Sequence, residues 1–372
     1  MQFKLRLIRL LAFVMLSARP VNAQPPATRL AEGSTSLSHE FTRLISAREL
    51  PNGLLLVIDD VEGGQLLALD FARNDVRQIG RKGSGPEEYR GPRRVYCTSE
   101  DSSLVDDPQL GRWMLLKGDR IVSTEVVANR FGYNPTLYGA DSLGKVLELR
   151  ALTYGQSPGL PRLPMHSAAE SLLVILNDRK SSRRDTLARI RGGFRGLKQI
   201  MKPVAPGRAP ILWIVRNPLA AEDQAIRFCD GWSAIVRGEP YSVEWFTPAL
   251  ARAARGTLPM ARVVVDAAER KWATEVSHRD IFMPEELSPW PESLPAFLDD
   301  ALLPLTDGRL AIRRVVSARA KRPIYDIVDR QARLSSRLEL NEGEFVLAFG
   351  KQAVYIAATD TDGVQAVKRY RW

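Results

Sequence analysis

Gln78-Ile79-Gly80-Arg81-Lys82-Gly83-Ser84-Gly85-Pro86-Glu87-Glu88-Tyr89-Arg90-Gly91-Pro92-Arg93-Arg94 is the stretch on which the reading of the chain turns. Its glycines permit positive φ in a tight crossover, and Pro86 fixes the backbone at the exit. Arg81 is placed to pair with Glu87 or Glu88, and Tyr89 offers an aromatic ring to fill a groove. The run Gly83-Ser84-Gly85 invites a phosphate-cradle reading. That cradle needs a helix N-terminus and a Lys-Ser/Thr pair behind it, whereas Pro86 and two glutamates follow here. The stretch therefore reads as a joint between two units, and Gly85 as a position where substitution costs stability.

Working outward, both sides are short strands punctuated by turns, the pattern of an all-β fold. Upstream, the turn Pro51-Asn52-Gly53 leads into Leu54–Ile58, which ends at Asp59-Asp60; Gln65–Phe71 and Val76–Ile79 follow. Downstream the cycle recurs in Arg94–Thr98, Ser103–Asp107, Arg112–Leu116 and Ile121–Val127, and the second acidic end, Asp106-Asp107, lies about 47 residues after the first. A strand-rich repeat of roughly 40–50 residues is the period of a propeller blade. A four-stranded blade cannot cover both its faces alone, so blades stack around an axis and close on themselves.

Four further units extend the count to six. The third holds two strands within Asn134–Arg150, then Ser171–Leu176 and Thr186–Ile190. The fourth holds Ala225–Phe228, Trp232–Val236 and Tyr241–Phe246, and the fifth holds Arg309–Val315 and Pro323–Val328. The sixth holds Phe345–Phe349, Ala353–Ala357 and Val364–Tyr370, completed by an N-terminal strand near Phe41–Ala47. The expected fold is a six-bladed β-propeller of four-stranded antiparallel blades over residues 37–372, its ring closed by the N-terminal strand. Asp266–Ser277 breaks the rhythm and reads as a short helix on the rim, or as a lid.

Residues 1–23 have the parts of a secretory signal peptide: Lys4, Arg6 and Arg9, an apolar run Leu10–Leu16, and small residues at Val21-Asn22-Ala23 before Gln24. The run is far short of the roughly 20 residues of a membrane span. The expected product is periplasmic or secreted, with residues 24–36 a flexible lead-in. The formal charge of +10 falls to about +6 once the leader's basic residues are gone, which does not call for nucleic acid. The excess is local: between Arg179 and Arg208 ten basic residues face only Asp185. They read as a solvated loop or as a contact for an anionic surface. Cys97 and Cys229 fall in units that should not be neighbours, so two buried free thiols are expected.

With the repeats in view, Ile79-Gly80-Arg81 and Gly83-Ser84-Gly85-Pro86-Glu87-Glu88-Tyr89 resemble the signature between blades of bacterial six-bladed propellers of the NHL-repeat and TolB-like type. That family usually has Gly and Phe where Glu87 or Glu88 and Tyr89 stand here. Asp185-Thr186-Leu187-Ala188-Arg189 and Lys368-Arg369-Tyr370-Arg371-Trp372 also look like exported members of the group. The resemblance covers nearly the whole mature chain and implies a fold. It implies no one function, because propellers host binding modules, hydrolases and lyases alike. The motif residues Gly80, Arg81, Gly83, Gly85, Pro86, Glu87 and Tyr89 are structural on this reading.

Candidate chemistry is sparse. His39, His166 and His278 are the three histidines, and no pair has metal-ligand spacing. A Gly-x-Ser-x-Gly elbow is lacking, so a nucleophilic triad has little to stand on. Six-bladed lactonases resembling gluconolactonase bind a divalent cation in the channel. Asp59, Asp106, Asn134 and Asn217 carry oxygens a hard cation accepts, although an Asp at a strand end more often caps a turn. Trp113, Trp213, Trp232, Trp245 and Trp290 are expected to pack between blades. The leading expectation is a monomeric binding module for an unknown protein, small molecule or glycan, without cofactor and with its site at the channel mouth. The alternative is a divalent-cation-dependent, lactonase-like hydrolase or lyase, which predicts converging carboxylate and Asn oxygens. A scaffold in an envelope complex predicts instead an exposed apolar patch.

Overall fold

Apolar runs bounded by turns build each blade. Blade 1 is Leu44–Glu49, Leu55–Asp59, Gln65–Asp70 and Asp75–Gln78, and blade 2 is Arg94–Cys97, Ser102–Asp107, Arg112–Lys117 and Arg120–Val126. Blade 3 is Leu137–Ala140, Lys145–Ala151, Ser171–Asp178 and Arg184–Arg191, and blade 4 is Gln224–Arg227, Ser233–Gly238, Tyr241–Phe246 and Arg252–Thr257. Blade 5 is Leu302–Pro304, Leu310–Arg313, Ile324–Val328 and Leu334–Glu339. Blade 6 is Glu344–Phe349, Ala353–Thr359 and Gln365–Arg371, with Thr35–Ser36 as its outer strand. The structure is a computed structural model describing residues 25, 27–30, 33–61, 63–127, 137–151, 171–192, 197–202, 211–220, 222–278 and 282–372. The leader expected over residues 1–23, Asn134 and His166 lie outside the described residues.

The protein is a six-bladed β-propeller. The first strand of each blade touches the first strand of the next in ring order, and that of blade 6 touches blade 1. These strands line the axis and run the same way, so the channel has a start mouth and an end mouth. Second strands such as Leu55–Asp59 are buried along their whole length because neighbouring blades cover both faces, which is why they read as unbroken apolar runs. The core is a series of blade interfaces. Leu56, Ile58, Leu66, Tyr89, Val105 and Met114 fill the one between blades 1 and 2. Each such residue contributes about 1.5–3 kcal/mol.

The N-terminal strand closes the ring, but at a different place from the one expected. Leu44–Glu49 is the innermost strand of blade 1, and closure falls to Thr35–Ser36, paired antiparallel with Arg369 and Lys368. Phe41 adds a bridge to Gln365, whose side-chain oxygen accepts the Leu44 N–H. Ala27–Arg29 pairs in parallel with Arg337–Glu339 on the outer edge of blade 5. Residues 24–36, read as a flexible lead-in, thus supply two edge strands.

The cysteines overturn the free-thiol expectation. Cys97 and Cys229 form a disulfide across a Cα separation of 5.2 Å. Cys97 ends the innermost strand of blade 2, and Cys229 stands two residues past the end of that of blade 4. Blades two apart are distant at the rim but converge at the axis, and there the bond crosses above blade 3.

Two excursions leave the ring between blades 3 and 4 and between blades 4 and 5, on the side of the start mouth. The first is a hairpin of Leu197–Lys202 and Ile211–Arg216. The second contains helix α1, Ala267–His278, and a 3-10 turn at Pro284–Leu287. They pack on one another through Val215, Phe282, Leu287 and Trp290, and through Leu219, Val265, Trp272 and Leu294. Asn217 ties them further: its amide donates to the carbonyls of Leu287 and Pro289, both at 2.9 Å. The helix expected on the rim is therefore half of a cap. Trp213 and Trp290 belong to this cap rather than to blade interfaces, whereas Trp113 and Trp245 are buried between blades.

Candidate functional site at the start mouth

Where the innermost strands begin, the connections between blades and the turns after the second strands meet around the axis. The two cavities described below open on this side. The larger, about 640 Å³, is lined by Trp272 of α1, Leu298 and Asp299, Arg313–Ala318, Lys321, Glu342–Phe345 and Thr359. Its wall is fastened to blade 5 by Glu269. This buried carboxylate accepts the Ser317 hydroxyl at 2.5 Å and the Ala318 N–H at 3.0 Å. Asp266 reinforces the joint by pairing with Arg319 at 2.6 Å. The cap helix is thus bolted to the ring, with Trp272 facing the space.

Two arginines with different histories line this cavity. Arg314 is held on three sides: it donates to Asp326 at 2.8 Å and to the Ala296 carbonyl at 2.9 Å, and its guanidinium lies 4.6 Å over the Tyr241 ring. Asp326 is wholly buried and also accepts from Tyr241 and Arg337. Burial and the adjacent Asp326 push the Tyr241 phenol well above its ordinary range. The Arg313 side chain is exposed and makes no hydrogen bond or ion pair among the described residues. Lys321 pairs with Glu342, and Glu344 is spoken for by Asn341 and Lys368.

The smaller cavity, about 300 Å³, is lined by Arg43, Ile45, Asp60, Gly63, Gly91–Arg94, Pro108, Gln109 and Asp300. Arg94 of blade 2 pairs with Asp300, which precedes blade 5. These blades are diametrically opposed, so the ion pair spans the axis. Behind it Asp106 sits almost fully buried, and burial pushes its carboxyl up to about 6, with Arg93 and Arg94 drawing it down and Asp107 adding to the rise. Tyr96 donates to the Leu137 carbonyl, and its phenol is raised by burial.

The residues singled out in the sequence are mostly engaged elsewhere. Asp59 accepts the Thr42 and Arg43 N–H groups at 3.1 and 2.6 Å. Asp107 does the same for Arg90 and Gly91 at 3.0 and 3.2 Å. Asp59 and Asp107 are therefore the equivalent pair, each drawing a blade connection onto its second strand. Asn217 serves the cap. Asp59, Asp106 and Asn217 do not converge, and among the described residues no cluster of His, Cys, Asp or Glu forms a metal site. His39 is exposed with its ring against Phe41.

The joint at residues 78–94 is an ordered loop. Gly80 has φ +67, and a Cβ there would lie 2.6 Å from the Glu87 carbonyl. Arg81 pairs with Glu88 at 2.8 Å, and Glu88 also accepts the Gly85 N–H at 2.7 Å. The Gly85 and Arg81 hydrogen bonds hold the half-buried Glu88 carboxyl below the usual range. The Tyr89 hydroxyl, fully buried, accepts from Leu66 and Gln78. Of the basic segment, Arg179, Arg183, Arg191 and Lys202 pair with Glu125, Asp185, Asp223 and Glu286. Three of those four acids come from outside the segment, which counting along the sequence does not show; Arg195 and Arg208 lie outside the described residues.

No protein-family model and no characterised sequence matches the chain. Among solved structures, the chain is similar to a candidate exported protein of Bacteroides fragilis, with 10% identity, 94% of this chain and 96% of that one covered, and a TM-score of 0.49. It is also similar to virginiamycin B lyase of Staphylococcus aureus, at 7% identity, 91% and 99% coverage and a TM-score of 0.42. A third is a calcium-binding regucalcin of Agrobacterium tumefaciens, at 10% identity, 94% and 98% coverage and a TM-score of 0.37.

Proposed function

We propose that this protein is an exported, monomeric binding module of the NHL-repeat and TolB-like type. Its ligand, a small molecule or glycan, sits at the start mouth against Trp272. The observation that carries the reading is the cap. Two separate excursions assemble over one mouth, and Glu269 fastens α1 so that Trp272 walls a cavity of about 640 Å³. That volume suits a small ligand, and an aromatic wall beside a few polar groups is the usual make-up of such a site. Export is supported by the leader pattern and by the Cys97–Cys229 bond, since disulfides persist in oxidising compartments. No helix among the described residues is long and apolar enough to cross a membrane.

The test is a thermal-shift and calorimetric series with monosaccharides, uronic acids, short peptides and divalent cations, run on wild type and Trp272→Ala. At least one organic ligand should stabilise the wild type and bind roughly tenfold or more weakly to the variant, the cost of losing an aromatic anchor. Stabilisation by divalent cations alone, together with lactone hydrolysis, would replace this reading with the cation-dependent hydrolase.

A further inference from the structure

We propose that the smaller cavity is an oxyanion-binding site whose present occupant is the protein's own Asp300, and that a ligand carboxylate or phosphate takes its place on Arg94. This site is separate from the cavity at Trp272 and does not depend on it. Three arginines, Arg43, Arg93 and Arg94, line the space against two carboxylates, Asp60 and Asp300. Arg43 is matched by Asp60 at 3.0 Å. The Arg93 backbone N–H donates to the Asp106 carbonyl at 2.8 Å, while its exposed side chain makes no hydrogen bond or ion pair among the described residues.

The asymmetry of the Arg94 pair is the decisive feature. The Arg94 side chain is only 23% exposed, whereas that of Asp300 is 58% exposed. A largely desolvated guanidinium needs a counter-ion nearby. An exposed carboxylate meets that need with little free energy, about 0.2–1 kcal/mol. Asp300 comes from across the axis on a loop whose flanks, Leu298 and Ala301, are held by Gln224. Its own contact with blade 2 is the pair with Arg94. The carboxylate can therefore leave without disturbing the loop's anchors. The vacated fork, with Arg93 beside it, fits the planar or tetrahedral oxygens of a carboxylate or phosphate.

Removing the internal competitor should therefore strengthen anion binding, whereas a merely structural ion pair predicts no such gain. Titration of the whole protein with citrate and with inorganic phosphate, each against chloride at equal ionic strength, reads this directly. Asp300→Asn should tighten binding about two- to fivefold, the fold-change of an exposed ion pair. Arg93→Gln should weaken it by roughly tenfold, the scale of a charge-assisted hydrogen bond. Both are surface changes, and an unchanged near-ultraviolet spectrum confirms that each variant is folded. Binding of either anion with these two opposite responses sustains the proposal, and the tighter one names the group. No binding beyond chloride by wild type and Asp300→Asn, or an affinity that Asp300→Asn leaves unchanged, overturns it.

Discussion

The two mouths of the channel are built from the same six strands and finished in opposite ways. At the end mouth, Cys97 and Cys229 join blades 2 and 4 covalently. Beneath that bond Arg227 donates twice to one oxygen of Asp141, with neither side chain exposed, and also donates to Ser233. Arg48 of blade 1 is satisfied there by the carbonyls of Ser99, Glu100 and Ser102, and burial lowers its guanidinium to about 10. At the start mouth the Arg94–Asp300 pair is partly exposed, and the side chains of Arg93 and Arg313 make no hydrogen bond or ion pair among the described residues. Buried, fully partnered groups resist exchange, while exposed or unpartnered ones invite it. One mouth locks the ring, and the other is the one to which the proposed function assigns the ligand.

The sharpest way to break that comparison is to remove a charge from the locked mouth. Asp141→Ala leaves Arg227 buried and uncompensated, and should cost about 3–5 kcal/mol in chemical denaturation. Arg94→Gln at the open mouth should cost far less. Equal losses would erase the distinction. Next in size, Cys97→Ser or reduction opens a loop spanning 132 residues and should cost about 2–5 kcal/mol, read as a shift of the denaturation midpoint with reductant. Gly80→Ala, at a positive φ and against a backbone carbonyl, should lose about 1–3 kcal/mol. Gly85→Ala should lose less, because its Cβ meets only the Glu88 side chain at 3.1 Å. The thermal melts of these two variants should fall in that order.

The smallest effect concerns pH. Asp106 has a higher pKa folded than unfolded, so its burial costs nothing below its ordinary value near 4 and costs more as pH rises through about 6. Asp106→Asn should therefore raise the melting temperature by a few degrees at pH 7.5 and leave it nearly unchanged at pH 4. A gain at pH 4 as large as at pH 7.5 would mean that desolvation of the carboxylate is not what the substitution relieves.

The architecture was legible because a blade announces itself locally. The runs Leu54–Ile58 and Tyr241–Phe246 lie between turn residues, and the spacing of Asp59 and Asp107 reflects one job done twice. The span Asp266–Ser277 was legible as a helix because nothing in it turns. What stayed hidden was relational. Cys97 and Cys229 are neighbours only at the axis, a geometry that counting units around the rim misses. The hairpin at Ile211–Arg216 carried a plain apolar signal, but it followed a basic stretch that drew the reading toward a solvated loop. Arg93-Arg94 stands at the end of the opening stretch, where in sequence it marks only the end of the joint and the start of the next strand. Its partner Asp300 lies on the opposite side of the ring, about 206 residues on, and the sequence contains no mark that joins them.

The closure at Thr35–Ser36 carries a consequence for the order of events in the cell. Its partners are Arg369 and Lys368, and Phe41 bridges Gln365. The earliest part of the propeller therefore waits for the latest part to be made before either has its neighbour. Until then blade 1 and blade 6 each show a bare flank, a state prone to pairing with other chains. A chaperone that shields such flanks during synthesis or transport would have its strongest claim on this seam, and stalled translation just short of residue 365 should yield rings that open rather than blades that melt.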